Sequence, residues 1–165
     1  MSAIASFSSG YPFTVIDGFN RSRNLQTDNT VADRPDWNPN FSGKVILGDP
    51  ARWFDPTAVM LQPEAGYYGN VPRNALNGPG FANFDVSWSR VFSMREPHTL
   101  EFRADFFNIF NRPNFSTPRS PTGAQITGGV IVFPDASGVP AGNAGQIFST
   151  VNDSRQVQLS LRYRF

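Results

Sequence analysis

The sequence contains no cysteine, one histidine and no long hydrophobic run. Without cysteine the chain cannot form disulfides, which argues against a small extracellular domain held together by disulfide bridges. No apolar stretch approaches the roughly 18 residues that suggest a membrane-spanning helix. The single histidine, His98, has no second histidine or cysteine with which to form an ordinary zinc site. We therefore expect no metal or catalytic role for it.

Charge is also scarce. The chain has 14 Lys and Arg residues against 13 Asp and Glu residues, a formal net charge of +1. That balance offers no basic surface for a polyanion, so we expect no nucleic-acid partner. The first residues, Met1 to Ser6, lack the basic start and unbroken apolar core of a signal peptide. We expect the chain to be part of a longer exported protein.

Phenylalanine, glycine and proline are abundant instead, at 16, 14 and 14 residues. Such a composition suits β-sheets joined by ordered loops and fits helix bundles badly. The last twelve residues, 154–165, alternate strictly between apolar and polar side chains. The apolar set is Val157, Leu159, Leu161, Tyr163 and Phe165, and the polar set includes Gln158, Ser160, Arg162 and Arg164. A strand of about 9–11 residues can cross a bilayer, but a soluble sheet can carry the same pattern.

Three further strands are predicted. Residues 82–92 and 98–109 both alternate, and the short link between them predicts an antiparallel hairpin. Residues 3–16 are strand-like but interrupted by Gly10 and Pro12, which places them at an edge or a bend. Two long loops, 17–81 and 110–153, separate these strands, with a short strand predicted near 130–133 within the second.

The loop region 17–81 is rich in turn-forming residues but also contains aromatic side chains that a disordered linker would lack. We therefore expect it to pack on itself. Four of its aromatic residues are weak candidates for contacting a glycan or peptide, with packing the favoured alternative: Trp37, Trp53, Tyr67 and Tyr68. Its carboxylates do not follow the spacing of an EF-hand calcium loop and are expected to be solvated: Asp28, Asp33, Asp36, Asp49 and Asp55.

The succession of long loop, short turn and long loop is typical of outer-membrane barrels, whose external loops are long and periplasmic turns short. The apolar faces also end in aromatic residues, as barrel girdles do. Arg90 has the apolar parity and would cost about 2–4 kcal/mol at mid-bilayer, but it lies near the turn, where it can snorkel. About four strands cannot close a barrel of at least about eight. The chain is therefore expected to be part of a larger barrel.

The polar parity carries a row of charges formed by Glu101, Arg103 and Asp105. These could be the carboxylate pair of a hydrolase, or lumen-facing charges paired with Arg162 and Arg164. We favour the second interpretation. The sequence contains no phosphate-binding loop, nucleophile elbow or dinucleotide fingerprint, so we expect no enzyme activity and no cofactor.

Several segments, in order, resemble TonB-dependent outer-membrane receptors of the Oar-like, carboxypeptidase-regulatory-domain type. They are Ser9–Val15 (SGYPFTV), Gly69–Asp85 (beginning GNVPRNALNGPG), Glu101–Phe115 (EFRADFFNIFNRPNF) and Arg155–Leu159 (RQVQL). The resemblance implies about 22 strands around a plug. It also implies that Tyr163 and Phe165 form a signal for the barrel-assembly machinery. TonB would be contacted only through N-terminal parts that precede this chain.

The prediction is an all-β chain of antiparallel strands that forms the C-terminal segment of a transmembrane β-barrel with long extracellular loops. It would lie in the outer membrane, contact lipid, and supply wall strands and loops for ligand uptake. The alternative is a soluble, secreted β-sandwich that binds carbohydrate through its loop aromatics.

Overall fold

The computed structural model describes residues 1–24, 33–119 and 129–165, and within these ranges it is all-β with one short 3-10 helix, Pro56–Ala58. None of the helical structure in these ranges is long and apolar enough to cross a membrane. Asp28 lies outside the described residues. The strands are β1 Ser2–Ser8, β2 Pro12–Asp17, β3 Asp36–Trp37, β4 Ile46–Asp49, β5 Arg52–Phe54, β6 Val59–Met60, β7 Leu76–Asn77, β8 Phe81–Ser93, β9 Thr99–Phe107, β10 Gly129–Phe133 and β11 Gln156–Arg164.

The chain divides into two compact units. The first, which we call the sheet unit, consists of Met1–Ser9, Gly80–Asn114 and Thr150–Phe165. The second, the loop unit, consists of Gly10–Pro79 and Phe115–Ser149.

The sheet unit is a four-stranded sheet in the order β1-β8-β9-β11, and every neighbouring pair is antiparallel. The strands therefore lie side by side in the order in which they occur along the chain. The hairpin predicted from the two alternating segments is formed by β8 and β9, and β11 lies inside the predicted segment 154–165. Strands β1 and β11 are the two edges of this sheet.

The register of the sheet keeps apolar and polar residues on opposite faces. Trp88 lies opposite Ala104, which in turn lies opposite Leu159. One position along, Ser89 lies opposite Arg103 and Arg103 opposite Ser160. Because successive side chains of a strand point to opposite faces, this register gives the sheet one apolar face and one polar face.

The prediction of one strand over 3–16 is wrong. It is two strands in different sheets: β1 pairs with β8, whereas β2 pairs with β10 and β7. The break falls at Ser9–Tyr11, where a Cβ added to Gly10 would lie only 1.8 Å from the carbonyl oxygen of Gly78. Only glycine permits so close a backbone approach. The sequence showed the interruptions at Gly10 and Pro12. It did not show that the segments before and after them belong to different sheets.

The two predicted loops are also more ordered than expected. Within the described residues of the loop unit they contain six strands, β3–β7 and β10, and β2 also belongs to this unit. Its largest sheet has the order β10-β2-β7, in which the pair β10–β2 is parallel and the pair β2–β7 is antiparallel. The pairs β3–β6 and β4–β5 are also antiparallel, so β10–β2 is the exception to antiparallel pairing among the described residues. Its buried core is formed mostly by strand residues, namely Phe13, Val15, Phe54, Val59, Leu61, Val71, Leu76, Val130, Val132 and Phe133.

Three asparagines after β9 tie together the ends of the sheet strands. Asn108 and Asn111 adopt positive φ angles of 49° and 50°, which asparagine tolerates better than most residues. The Asn108 amide donates to the carbonyl oxygens of Arg112 and Asp153, both at 3.1 Å, and Asn111 Oδ1 accepts from the Arg155 backbone N–H at 2.9 Å. The segment following β9 is therefore bonded to the residues that lead into β11.

The third asparagine, Asn114, is 1 % exposed and bonds to both backbone groups of Ala82 in β8. Its Oδ1 accepts from the Ala82 N–H at 2.9 Å, and its Nδ2 donates to the Ala82 carbonyl oxygen at 3.0 Å. The sequence pattern of three asparagines, each three residues apart, follows a strand directly. We call these three residues the asparagine clamp. Their spacing could have indicated that they bond to the strand ends, but in the sequence analysis it contributed only to the family resemblance.

Replacing Asn114 with alanine should destabilise the sheet unit. The substitution leaves both backbone groups of the buried Ala82 without their partners, at about 1–3 kcal/mol for each group. We expect the free energy of unfolding to fall by about 2–6 kcal/mol, measured by denaturant unfolding with tryptophan fluorescence as the probe. The exposed Asn40→Ala change is the control. Equal stability of the two variants would show that the clamp contributes nothing.

Candidate functional site

The apolar face of the sheet is largely uncovered. On β11, Val157, Leu159 and Leu161 are 53 %, 63 % and 67 % exposed, and every residue of that strand is exposed. Phe7 on β1 is 67 % exposed. A soluble sandwich buries one face of each sheet against another. Among the described residues, no second sheet covers the edge strands of this sheet. Their apolar side chains nevertheless share one face, as the side chains of a buried face do.

Aromatic rings gather toward one end of the apolar face. Phe84 packs edge-to-face against Phe7 and against Phe110, with ring centroids 5.2 and 5.1 Å apart. Phe92 lies eight residues further along β8, which is roughly 27 Å of extended strand. The face therefore has aromatic residues at separated levels along the strands, with Trp88 between them.

A second aromatic cluster lies at the opposite end, beside the turn between β8 and β9. The rings of His98 and Tyr163 stack at 5.7 Å, and Tyr163 Oη lies 2.6 Å from His98 Nδ1. Phe165 stacks on Tyr163 at 6.0 Å. His98 is thus an aromatic partner of the C-terminal strand. The two residues expected to form a barrel-assembly signal, Tyr163 and Phe165, are both exposed, at 51 % and 89 %.

Arg90, which has the apolar parity, is accommodated locally. Its guanidinium carbon lies 5.2 Å from the centre of the Phe92 ring, in a cation–π contact. Phe92 is two residues closer to the turn, so the arginine extends toward the end of the strand. That direction is the one required for a charged group to leave an apolar face.

The polar face brings together the predicted row of charges, but the pairs differ from those expected. Arg103 Nε bonds to Asp105 Oδ2 at 2.9 Å on the same strand, since residues two apart share a face. Asp105 also accepts from the Ser87 hydroxyl at 2.5 Å. Arg164 lies 3.6 Å from Glu101 across the strands.

Arg162 lies directly opposite Glu101 in the register, yet among the described residues it makes no ion pair within 4.0 Å. Of the two arginines expected to pair with the row, only Arg164 does so. Exposed pairs of this kind contribute about 0–1 kcal/mol each, so the charges determine the character of the face more than its stability.

The four loop aromatics fall into two groups. Trp37 and Trp53 are half-buried against the core of the loop unit, and the Trp53 indole N–H donates to the Asn77 carbonyl oxygen at 2.8 Å. Tyr67 and Tyr68 are 64 % and 69 % exposed. The tryptophans therefore serve the packing of the unit, and of the four residues only the two tyrosines are largely exposed.

The loop carboxylates are mostly engaged in turns. Asp55 caps the 3-10 helix through Thr57 and bonds to Arg52 at 2.7 Å. Burial raises the pKa of Asp55, but the hydrogen bonds from Thr57 and the Arg52 charge outweigh this, so its pKa is lowered. Asp36 and Asp49 accept backbone hydrogen bonds from Asn70 and Ala51. The described residues contain no group of three or more metal-ligating side chains.

Asp33 is the exception to the expected solvation, because it is only 3 % exposed and bonds to both the backbone and the hydroxyl of Ser22. Next to it lies Asp17, which is 0 % exposed and was not singled out from the sequence. Burial, the largest influence, raises the pKa of Asp17 to about 7. Its position directly after the mostly apolar segment Phe13–Ile16 was the only sequence signal of this burial.

Comparison with known families decides the class of the protein. Residues 1–158 match the family described as the outer membrane beta barrel domain. The chain belongs to this family. Its place is therefore the outer membrane, as expected, and the alternative of a soluble, secreted sandwich is set aside. Comparison with curated proteins and with solved structures gave no significant match. Within the described residues the four sheet strands do not close into a barrel.

Alanine substitutions should distinguish the aromatic residues that pack against the core of the loop unit from those that are exposed. Trp53→Ala removes a half-buried ring and its bond to Asn77, so we expect the loop unit to lose about 2–3 kcal/mol of unfolding free energy. Tyr67→Ala and Tyr68→Ala should change it by less than about 0.5 kcal/mol. Unfolding is followed by the fluorescence of the tryptophans that remain in the loop unit in a Trp88→Phe background. A tyrosine variant as unstable as Trp53→Ala would contradict this division.

Proposed function

We propose that this chain is the C-terminal wall segment of a TonB-dependent, Oar-like outer-membrane transporter. The observation that carries the proposal is the exposed apolar face of the sheet, which lies on the opposite side from a charged face in a member of an outer-membrane barrel family. Transmembrane barrels alternate in this way, with apolar residues toward lipid and polar residues toward the lumen.

The energetics support membrane insertion of the sheet. Each Å² of apolar surface removed from water contributes about 25 cal/mol, and here the edge strands leave most of theirs exposed. Lipid contact removes that exposure without a second protein layer. The aromatic residues at both ends of the face fit the girdles of an apolar band about 25 Å tall. The strand length from Phe84 to Phe92 is of the same order.

The two open edges support membership of a larger barrel. Backbone groups that face hydrocarbon must be hydrogen-bonded, so an open sheet edge is not viable there. Strands β1 and β11 each have one neighbour among the described residues. Each therefore needs a further strand, and transporters of the resembled type have about 22 strands around a plug.

In this proposal the charged face lines the lumen, and the turn between β8 and β9 is periplasmic. The segments that join β1 to β8 and β9 to β11, which contain the loop unit, are external and receive the ligand. Tyr163 and Phe165 are read by the barrel-assembly machinery. The chain itself performs no catalysis and needs no cofactor, and TonB acts only through preceding N-terminal parts.

An epitope tag in an exposed loop tests the transporter assignment in the native host. Gly66 suits the insertion because it is exposed, with a φ of 100° and no atom near its missing Cβ. A second insertion at the exposed Gly142 controls for interference by the tag. Outer-membrane protein is cross-linked in living cells and isolated through the tag.

We expect both tags to isolate a polypeptide several times the 18.3 kDa mass of this chain, cross-linked to TonB. TonB should be absent when the inner-membrane energy supply is uncoupled before cross-linking. Isolation of an outer-membrane species that carries no TonB even from energised cells would refute the transporter assignment while leaving the family membership intact.

A further inference from the structure

A pair of buried carboxyl groups lies inside the loop unit, at the end of β2. Asp17 and Asp33 are 0 % and 3 % exposed, and the Asp17 backbone N–H donates to the Asp33 carbonyl oxygen at 2.8 Å. A buried carboxylate is costly unless it is paired or well hydrogen-bonded. Asp33 has such bonds, from the backbone and hydroxyl of Ser22. Within the part of the chain that the structure describes, Asp17 does not have comparable hydrogen bonds to its carboxyl group.

The side chain of Asp17 has one weak contact. Gln62, itself 2 % exposed, donates from Nε2 to Asp17 Oδ2 at 3.4 Å and also to the carbonyl oxygen of Arg34. Among the described residues, Asp17 Oδ1 and Gln62 Oε1 have no hydrogen-bond partner. The site thus has two buried acceptor oxygens without donors, which is the arrangement that a proton on the carboxyl would relieve.

The surrounding charges do not neutralise an ionised Asp17. Two further carboxyl groups, Asp33 and Asp36, act on it unfavourably, and one arginine, Arg21, acts favourably. The Arg21 Nη2 group, however, donates to the Gln62 carbonyl oxygen at 2.8 Å, so it is held by the backbone and forms no ion pair with Asp17. Desolvation therefore dominates, in the direction that favours the neutral acid.

We propose that the loop unit is a pH-sensitive element, most stable while Asp17 is protonated and loosened when Asp17 ionises. The position of Asp17 explains how one proton can matter to the whole unit. Asp17 ends the central strand of the sheet β10-β2-β7 and lies opposite Phe133 of β10 in the register. The next residue, Gly18, donates to the Phe133 carbonyl oxygen at 2.7 Å. Ionisation thus acts at the junction of β2, β10 and Asp33.

The direction of the pH effect follows from the raised pKa of Asp17. The folded unit binds one proton more than the unfolded chain between pH 3.8 and about 7. The contribution of Asp17 to the stability of the loop unit is therefore fully present below about pH 4. It falls as the pH rises and is lost above about pH 7. Between pH 5 and pH 8 the folded-to-unfolded ratio should fall by about a hundredfold.

Denaturant unfolding of the full chain in detergent, from pH 5 to pH 8, tests the proposal. A Trp88→Phe background leaves Trp37 and Trp53, both in the loop unit, as the fluorescent probes. The pH window lies above the range in which the lowered pKa values of Asp55 and Asp135 affect stability. We expect the stability of the parent protein to fall from pH 5 to pH 8. The stability of the Asp17→Asn variant should stay constant, so that the variant is the more stable protein at pH 8.

The exposed Glu64→Gln change is the matched control, and it should keep the pH dependence of the parent. The proposal would be overturned if the free energy of unfolding of the parent loop unit stayed constant or rose from pH 5 to pH 8, even if Asp17→Asn fails to fold. Parallel pH profiles for the parent and Asp17→Asn would overturn it as well. The result is independent of the proposed transport function, because the readout is the stability of the loop unit alone.

Discussion

The hydrogen-bond register of β8, β9 and β11 is the constraint on which the sheet depends. It places Ala104 between Trp88 and Leu159, and Arg103 between Ser89 and Ser160. A slip of one residue would move every side chain of a strand to the other face and set arginines among leucines. The asparagine clamp after β9 supports this register by bonding the strand ends. The separation of an apolar from a polar face, and with it any role in a membrane wall, follows from the register.

Much of the sheet unit could be predicted because its signal is local. Alternation with a period of two indicates a strand and assigns each side chain to a face without knowledge of the partner strand. The short link after Ser93 then predicted the hairpin. The chain's place in the outer membrane, predicted from loop lengths and resemblance, is confirmed by the family match. The finer assignment to TonB-dependent transport stays a proposal.

The loop unit could not be predicted in the same way, because its structure depends on contacts between distant segments. The parallel pair of β2 and β10 joins Thr14 to Gly129, and no local pattern specifies that pairing. The burial of Asp17 likewise depends on Gln62 and Asp33, which come from separate segments of the chain. Turn residues indicated where the chain bends, but not which bends pack together. The exchange of sheets at Gly10 was missed for the same reason.

The most direct test of membrane contact is the accessibility of spin labels along β11. The chain has no cysteine, so single cysteines at Gln158, Leu159, Ser160 and Leu161 can each carry one nitroxide in the protein reconstituted in bilayers. The account predicts that lipid-soluble oxygen relaxes the labels at 159 and 161, whereas a water-soluble nickel complex relaxes those at 158 and 160. Labels at 159 and 161 that are shielded from oxygen, or reached equally by the nickel complex, would contradict it.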